Sequence, residues 1–324
     1  MMHKILAVAV GPGQSQRPAV QPNVIQGGQV NRLRPIIQGM VQGLQAFGYS
    51  PGGSFDVDYA EAEPHLLRLL LRTAVKESKP DVIFTVASSA RQAAQAVTRT
   101  IPIVFTVVSD PIEERAVKST ALPGTNTTGV RTMLRHTAAD CLELFKAMVP
   151  SLKTVYAMHQ PGFPPAVHAM PRLRQTAKRL RIAFLPQVVR RRGDIADRLK
   201  ALSQAGPPGR PQVGLLVVPD DLVVSEGYNV IHVAHSDGIP TFFPVVEFVN
   251  STPQSALGAY GIPGQAAGEA GAAYVHKILQ GARPAHLPVK RAGGFEWRIN
   301  NSIVAKNLNI TIPHHVLQAA DQVF

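Results

Sequence analysis

A chain of 324 residues, 45% apolar and only 17% charged, is too long for one small core and too apolar for a disordered tail, so one large or two medium α/β domains are expected. Thirty-three Lys and Arg against 21 Asp and Glu leave a formal charge of +12, which favours anionic ligands, nucleic acid or an acidic membrane surface without choosing among them. The single cysteine, Cys141, excludes an intrachain disulfide and any zinc site that needs two thiolates.

Residues 5–10 are a short apolar run broken by Gly11-Pro12-Gly13, too short to span a bilayer and suited to a first strand. No secretory signal is legible there, so the chain is expected to be either a mature form or a protein never exported. Residues 11–32 carry little apolar content and read as a surface loop. Apolar positions Ile36, Ile37, Met40, Val41 and Leu44 predict a helix over 34–47, with Gly48 where a C-terminal cap belongs. Strand 55–59, helix 64–77, strand 81–86 and strand 101–108 follow, and 121–130, rich in Gly, Pro, Thr and Asn, reads as a turn and a lobe boundary. The pattern then restarts with helix 138–148, strand 154–158, helix 166–180, strand 182–188, helix 195–205, strand 213–218, helix 225–237 and strand 241–244. Strand 257–260 and helix 265–279 come next, and the tail after Pro284 reads as mostly irregular. This alternation predicts parallel sheets with helices on both faces. Between Arg172 and Arg210 lie 11 Lys or Arg against Asp194 and Asp197. That is either a docking footprint or the solvated face of a helix and its flanking loops.

Folds of this kind bind ligands at the carboxyl ends of their strands, which selects the polar residues ending each apolar run. After strand 81–86 stand Ser88 and Ser89, placed to clamp a carboxylate at a helix N-terminus, to cap that helix, or both. Ser109 and Asp110, before Pro111, end the next strand, and Asn126 and Thr128 lie in the polar turn. The later strands end in His159 and Gln160, in Asp220 and Asp221, and in Phe242-Phe243-Pro244 followed by Glu247. No nucleophile elbow, phosphate-binding loop, zinc-protease motif or paired CxxC is present. His232 and His235 stand three apart without a third ligand, and Cys141 precedes apolar helix positions, so metal binding and thiol chemistry are not expected.

Asp81-Val-Ile-Phe-Thr-Val-Ala-Ser-Ser-Ala, Ile101-Pro-Ile-Val-Phe-Thr-Val-Val-Ser-Asp-Pro111 and Pro123-Gly-Thr-Asn-Thr-Thr-Gly-Val130, in that order, resemble the substrate-binding proteins of a widespread bacterial ABC-transporter family, some members of which bind aromatic amino acids. Residues 277–289, Phe295-Glu-Trp-Arg-Ile-Asn300 and Ile310-Thr-Ile-Pro313 resemble its closing segments. The resemblance implies a two-lobed type I periplasmic-binding-protein fold with a ligand cleft between lobes. One lobe would hold residues 1–130 plus about 246–280 and the other 131–245 plus about 281–324. It also implies a periplasmic, monomeric, non-enzymatic protein that needs no cofactor, captures a small solute and delivers it to membrane permease and ATPase subunits. Matched to the family, Ser88, Ser89, Ser109, Asp110, Asn126, Thr128, an acid at Asp220 or Asp221, Glu247 and Tyr260 line the cleft. Amino-acid-binding members commonly carry Asn, Ser and Glu where this chain has His159-Gln160-Pro161-Gly162-Phe163, and an acidic pair where it has Pro244-Val245-Val246. An ammonium partner is therefore expected to be missing. Phe163, Phe242 and Phe243 suggest an apolar ligand body, so the expected ligand is an aromatic or other organic carboxylate, or an aromatic amino acid. The alternative is a cytoplasmic ligand sensor or regulator of the same fold, although no DNA-reading helices precede Ile5.

Overall fold

The structure is a computed structural model that describes residues 2–10, 21–22, 34–62, 64–112, 114–132, 134–205 and 212–324. The chain divides into two compact units, residues 1–133 with 263–294 and residues 134–262 with 295–324, so it passes between them three times. In chain order the first unit opens with β1 (His3–Val10), β2 (Gln21–Pro22), α1 (Arg34–Ala46), β3 (Phe55–Ala62), α2 (Pro64–Ser78), β4 (Val82–Val86), α3 (Ala87–Val97), β5 (Ile103–Val108) and β6 (Thr127–Arg131). The second contributes α4 (Leu134–Met148), β7 (Thr154–His159), α5 (Pro164–Leu180), β8 (Ala183–Val188), α6 (Arg192–Ala205), β9 (Val213–Val217), α7 (Asp221–Ser225), α8 (Gly227–Ser236), β10 (Thr241–Phe243) and β11 (Gly258–Gly261). Helix α9 (Gly264–Leu279) and β12 (Lys290–Arg291) return to the first unit. Strand β13 (Glu296–Ile299), α10 (His314–Ala319) and β14 (Gln322–Val323) close the second.

Each unit is built on one sheet. The first has the order β12-β6-β5-β4-β1-β3-β2, parallel except for β2. The second has the order β14-β13-β11-β10-β9-β7-β8, parallel except for the β11–β13 pair. Their central strands are fully buried and apolar, as a sheet covered on both faces demands. The first five long strands of each unit run in the same spatial order, β3-β1-β4-β5-β6 and β8-β7-β9-β10-β11. In each the order reverses beside the first of those strands, which opens a crevice at the carboxyl ends of β1 and β4 in one unit and of β7 and β9 in the other.

The expected elements are present, with informative differences. Gly48 caps α1 with φ +86°, and Tyr49 N–H closes back on Leu44 O at 3.1 Å. Residues 127–130, read as turn, are instead the buried strand β6. Thr127 and Thr128 are β-branched and fit a pleated strand, and only glycine fits at 129, where a Cβ would stand 2.0 Å from Phe105 O. Gln21–Pro22, inside the expected loop, pairs with β3, and the rest of residues 11–32 lies outside the described residues. The helix expected over 225–237 begins earlier, at Asp221, and breaks at Glu226 into α7 and α8. Nor is the tail irregular, since β13 pairs with β11, and β14 with β13. Strand 257–260, placed by the resemblance with the first lobe, is hydrogen-bonded as β11 to β10 and β13 in the second sheet.

The basic stretch from Arg172 spreads over α5, the β8 edge and α6. Arg179 pairs there with Glu143, Arg191 with Asp194 and Arg192 with Glu226.

Candidate functional site

At the carboxyl edge of the first sheet, two non-glycine residues take left-handed backbone: Ala87 (φ +71°), where β4 turns directly into α3, and Val107 (φ +58°), in a register break between β5 and β6. Each such conformation costs about 1–3 kcal/mol and persists only where the surroundings impose it. Beside them lies a buried ion pair that sequence pattern did not single out. Arg91 on α3 meets Glu114 at 3.1 Å with both side chains 1% exposed. Glu114 also bonds the Ser88 hydroxyl and accepts from Asp110 N–H, and Arg91 continues to Gln95, whose amide donates to Ala116 O and Thr127 Oγ1. Burial pushes the Glu114 carboxyl above, and the Arg91 guanidinium below, their ordinary ranges. The network ties α3 to the 110–116 loop and, through Gln95, to the amino end of β6.

Neither serine caps α3. The cap position is Val86, which makes no side-chain cap bond to the first N–H groups of the helix. Ser88 is buried with its hydroxyl engaged by Glu114, and Ser89 is half-buried. Ser109 follows β5 and is 5% exposed, and the half-buried Asp110 accepts from Ile112 N–H at 3.0 Å in a local turn. Arg131 ends β6 on the same edge, opposite Val108. Asn126 and Thr128 lie elsewhere. Asn126 precedes β6 at the amino end of the sheet, about 20 Å from Ser109 along the length of β5. Its amide donates to Ile101 O at 2.8 Å, and the Thr128 hydroxyl to Leu287 O at 2.6 Å.

At the second sheet's carboxyl edge, His159, Gln160, Asp220, Asp221, Glu247 and Tyr260 all follow or end β7, β9, β10 or β11, so the structure brings these six to one edge. Asp220, 3% exposed, caps α7 through Leu222 N–H (3.0 Å) and Val223 N–H (3.1 Å) and accepts from Gln160 N–H (2.5 Å). It thus bridges the β7–β9 crevice. Burial pushes its carboxyl up to about 6 against the pull of those three donors. His159 is 9% exposed, its Nδ1 has no hydrogen-bond partner among the described residues, and burial lowers its pKa. Asp221, Glu247 and Gln160 are half-buried.

Phe242 and Phe243 do not form ligand surface. Both are fully buried on opposite faces of β10, Phe242 against Phe145 and Phe243 against Phe248, because a strand covered on both faces sends alternate side chains into two cores. The aromatic surface at this edge is instead the half-buried Tyr260 stacked on Phe295, with centroids 5.4 Å apart and planes 28° apart, and Phe163 at the start of α5. Cys141 is a packed thiol donating to Tyr260 O, and His235, on Thr241 Oγ1, is held by burial at a pKa of about 4. Among the described residues no three His, Cys, Asp or Glu gather in a way that could hold a metal ion. No helix among them is long and apolar enough to cross a membrane.

The family model described as ABC transporter substrate binding protein matches residues 23–324. The chain belongs to that family. Its members are solute-binding proteins, not enzymes, and the fold is that of the two-lobed periplasmic binding proteins. A tyrosine-binding protein of Clostridioides difficile is 24% identical over 265 residues, which cover 81% of this chain and 73% of that one. A conserved domain protein of Vibrio cholerae has a similar structure, with a TM-score of 0.81, 28% identity and 99% of each chain covered. An ABC domain of Streptococcus pneumoniae in complex with L-Trp has a TM-score of 0.76 at 23% identity, covering 98% of this chain and 100% of that one. For this substrate-binding protein, sequence pattern missed Arg91, Glu114, Arg131 and Phe295. Neither Arg131, which follows a segment read as a turn, nor Phe295, which precedes the alternating Glu296–Ile299, ends an apolar run, so the rule that selected the others passed over both.

Proposed function

We propose that this chain is the extracytoplasmic receptor of an ABC importer and captures an aromatic α-amino acid with residues at the carboxyl edges of its sheets. The observation that carries the reading is the unlike chemistry of those edges. The first presents the amino end of α3, Ser89, Ser109 and Arg131, all suited to a carboxylate. The second presents the half-buried acids Asp221 and Glu247, suited to an ammonium, beside the Tyr260–Phe295 stack, suited to an aromatic ring. The acids supply the ammonium partner whose usual positions this chain fills with His159-Gln160 and Pro244-Val245. The names of the tyrosine-binding relative and of the L-Trp complex support the same ligand class.

Binding acts by population shift toward the form a permease would recognise and requires no chemistry. The permease and its ATPase are the partners this role requires.

Isothermal titration against L-Tyr, L-Trp, L-Phe and their deaminated acids tests the reading. Micromolar or tighter binding of the amino acids supports it. Binding of the deaminated acids alone would restrict the ligand to carboxylates, and binding of none would overturn the reading.

A further inference from the structure

Among the described residues, no acid pairs with Arg131. It is the last residue of β6, half-buried, and its Nε is shut off from solvent with no hydrogen-bond partner. Of the described acids nearest in sequence around this edge, Glu114 is engaged by Arg91 and Asp110 accepts from the Ile112 N–H. A cation partly withdrawn from water without a counter-charge is unfavourable, and binding proteins tolerate that arrangement where a ligand supplies the charge.

A second observation stands beside it. Arg131 pairs in register with Val108, so the next residue on β5, Ser109, lies one strand away, about 5 Å in the hydrogen-bonding direction. Ser109 is 5% exposed. A planar guanidinium and a hydroxyl on neighbouring strand ends are the donors that a carboxylate takes, the guanidinium through two parallel N–H bonds. The left-handed turn at Val107 and the glycine at 129 shape the strand ends that carry them.

We propose that Arg131, with the Ser109 hydroxyl beside it, is the counter-ion that holds the carboxylate of the ligand. The inference rests on the receptor reading above and deepens it: the carboxylate is the obligatory group, and an amine with the same ring is rejected.

The test is isothermal titration of the full chain with three probes that share one ring: L-Trp, tryptamine, which lacks the carboxylate, and indole-3-propionate, which lacks the ammonium. Wild type should bind tryptamine about 30-fold or more weakly than L-Trp, the loss typical of removing one partner of a desolvated charge pair. Arg131→Met should weaken L-Trp and indole-3-propionate by a similar factor while leaving tryptamine within about 3-fold, which collapses the selectivity. Arg131→Lys should recover part of it, and Ser109→Ala should cost several-fold on the two carboxylates alone. If Arg131→Met melts like wild type and keeps the L-Trp to tryptamine ratio, the clamp assignment is overturned while the receptor reading stands. If wild type binds none of the three and no other aromatic amino acid, the receptor reading itself fails.

Discussion

Asp220 should make the second unit lose stability as pH rises, opposite to an ordinary salt-bridged aspartate. Its carboxyl is 3% exposed and its pKa is raised from 3.8 to about 6 by burial. A folded-state pKa above the unfolded one means that the folded protein binds the proton more tightly. The contribution is therefore fully present below pH 3.8 and is lost as pH rises through about 6. A shift of about 2 units corresponds to about 3 kcal/mol, of which about 2 kcal/mol should be lost between pH 4 and pH 7.5. Asp220→Asn removes the titration and keeps an oxygen for the Leu222 and Val223 N–H groups, but it turns an amide donor toward Gln160 N–H. The lost bond costs about the same at any pH. The variant should thus be destabilised at pH 4 and gain about 2 kcal/mol relative to wild type by pH 7.5. Urea titrations followed by fluorescence measure this cleanly, because Trp297 is the only tryptophan and lies in the same unit. Taking the difference between variant and wild type at each pH cancels all other titrating groups. Equal differences at the two pH values would refute the assignment of the buried charge.

Gly129→Ala should lower the melting temperature sharply, with a loss of about 3 kcal/mol or more, because the new Cβ would stand 2.0 Å from Phe105 O at φ +152°; a calorimetric scan within 2 °C of wild type would contradict the strand packing. Glu114→Ala should cost about 3–5 kcal/mol by stranding Arg91, whereas the double change Arg91→Met with Glu114→Leu should restore most of that. Chemical denaturation of the three proteins decides it, and an additive double variant would mean that the two side chains do not act as a pair. Tyr260→Leu and Phe295→Leu should each weaken an aromatic ligand by about 10-fold while leaving a small aliphatic carboxylate unaffected, as read by titration calorimetry.

Much of the fold is legible in the chain because its main signals are local. Buried parallel strands are short apolar runs, and the flanking helices show apolar residues at helical spacing, so β1, β4, β5, β7, β9, α1 and α9 stand out without any tertiary information. Where neighbours decide, the reading fails. Residues 127–130 look like a turn because Thr and Gly are turn residues, yet β5 on one side and β12 on the other make them a strand. Asp220 looks like a ligand contact and is a cap, because its neighbours Leu222 and Val223 begin a helix four residues earlier than periodicity suggests. Asn126 and Thr128 satisfy backbone carbonyls at sites that local sequence does not show.

Taken alone, the sequence determined the α/β class, the alternation of elements, the absence of a disulfide within the chain, and a set of strand-end polar residues, because each follows from periodicity, composition or adjacency along the chain. Only tertiary structure decided which of those residues share an edge. It sent Phe242 and Phe243 into two cores, occupied Ser88 with Glu114, and left the Arg131 Nε without a partner among the described residues, one strand from Ser109. The physical reason is that burial and partnership are properties of contacts between residues far apart in the chain. A side chain's type states which bonds it can make, and the fold states which of them it has already made.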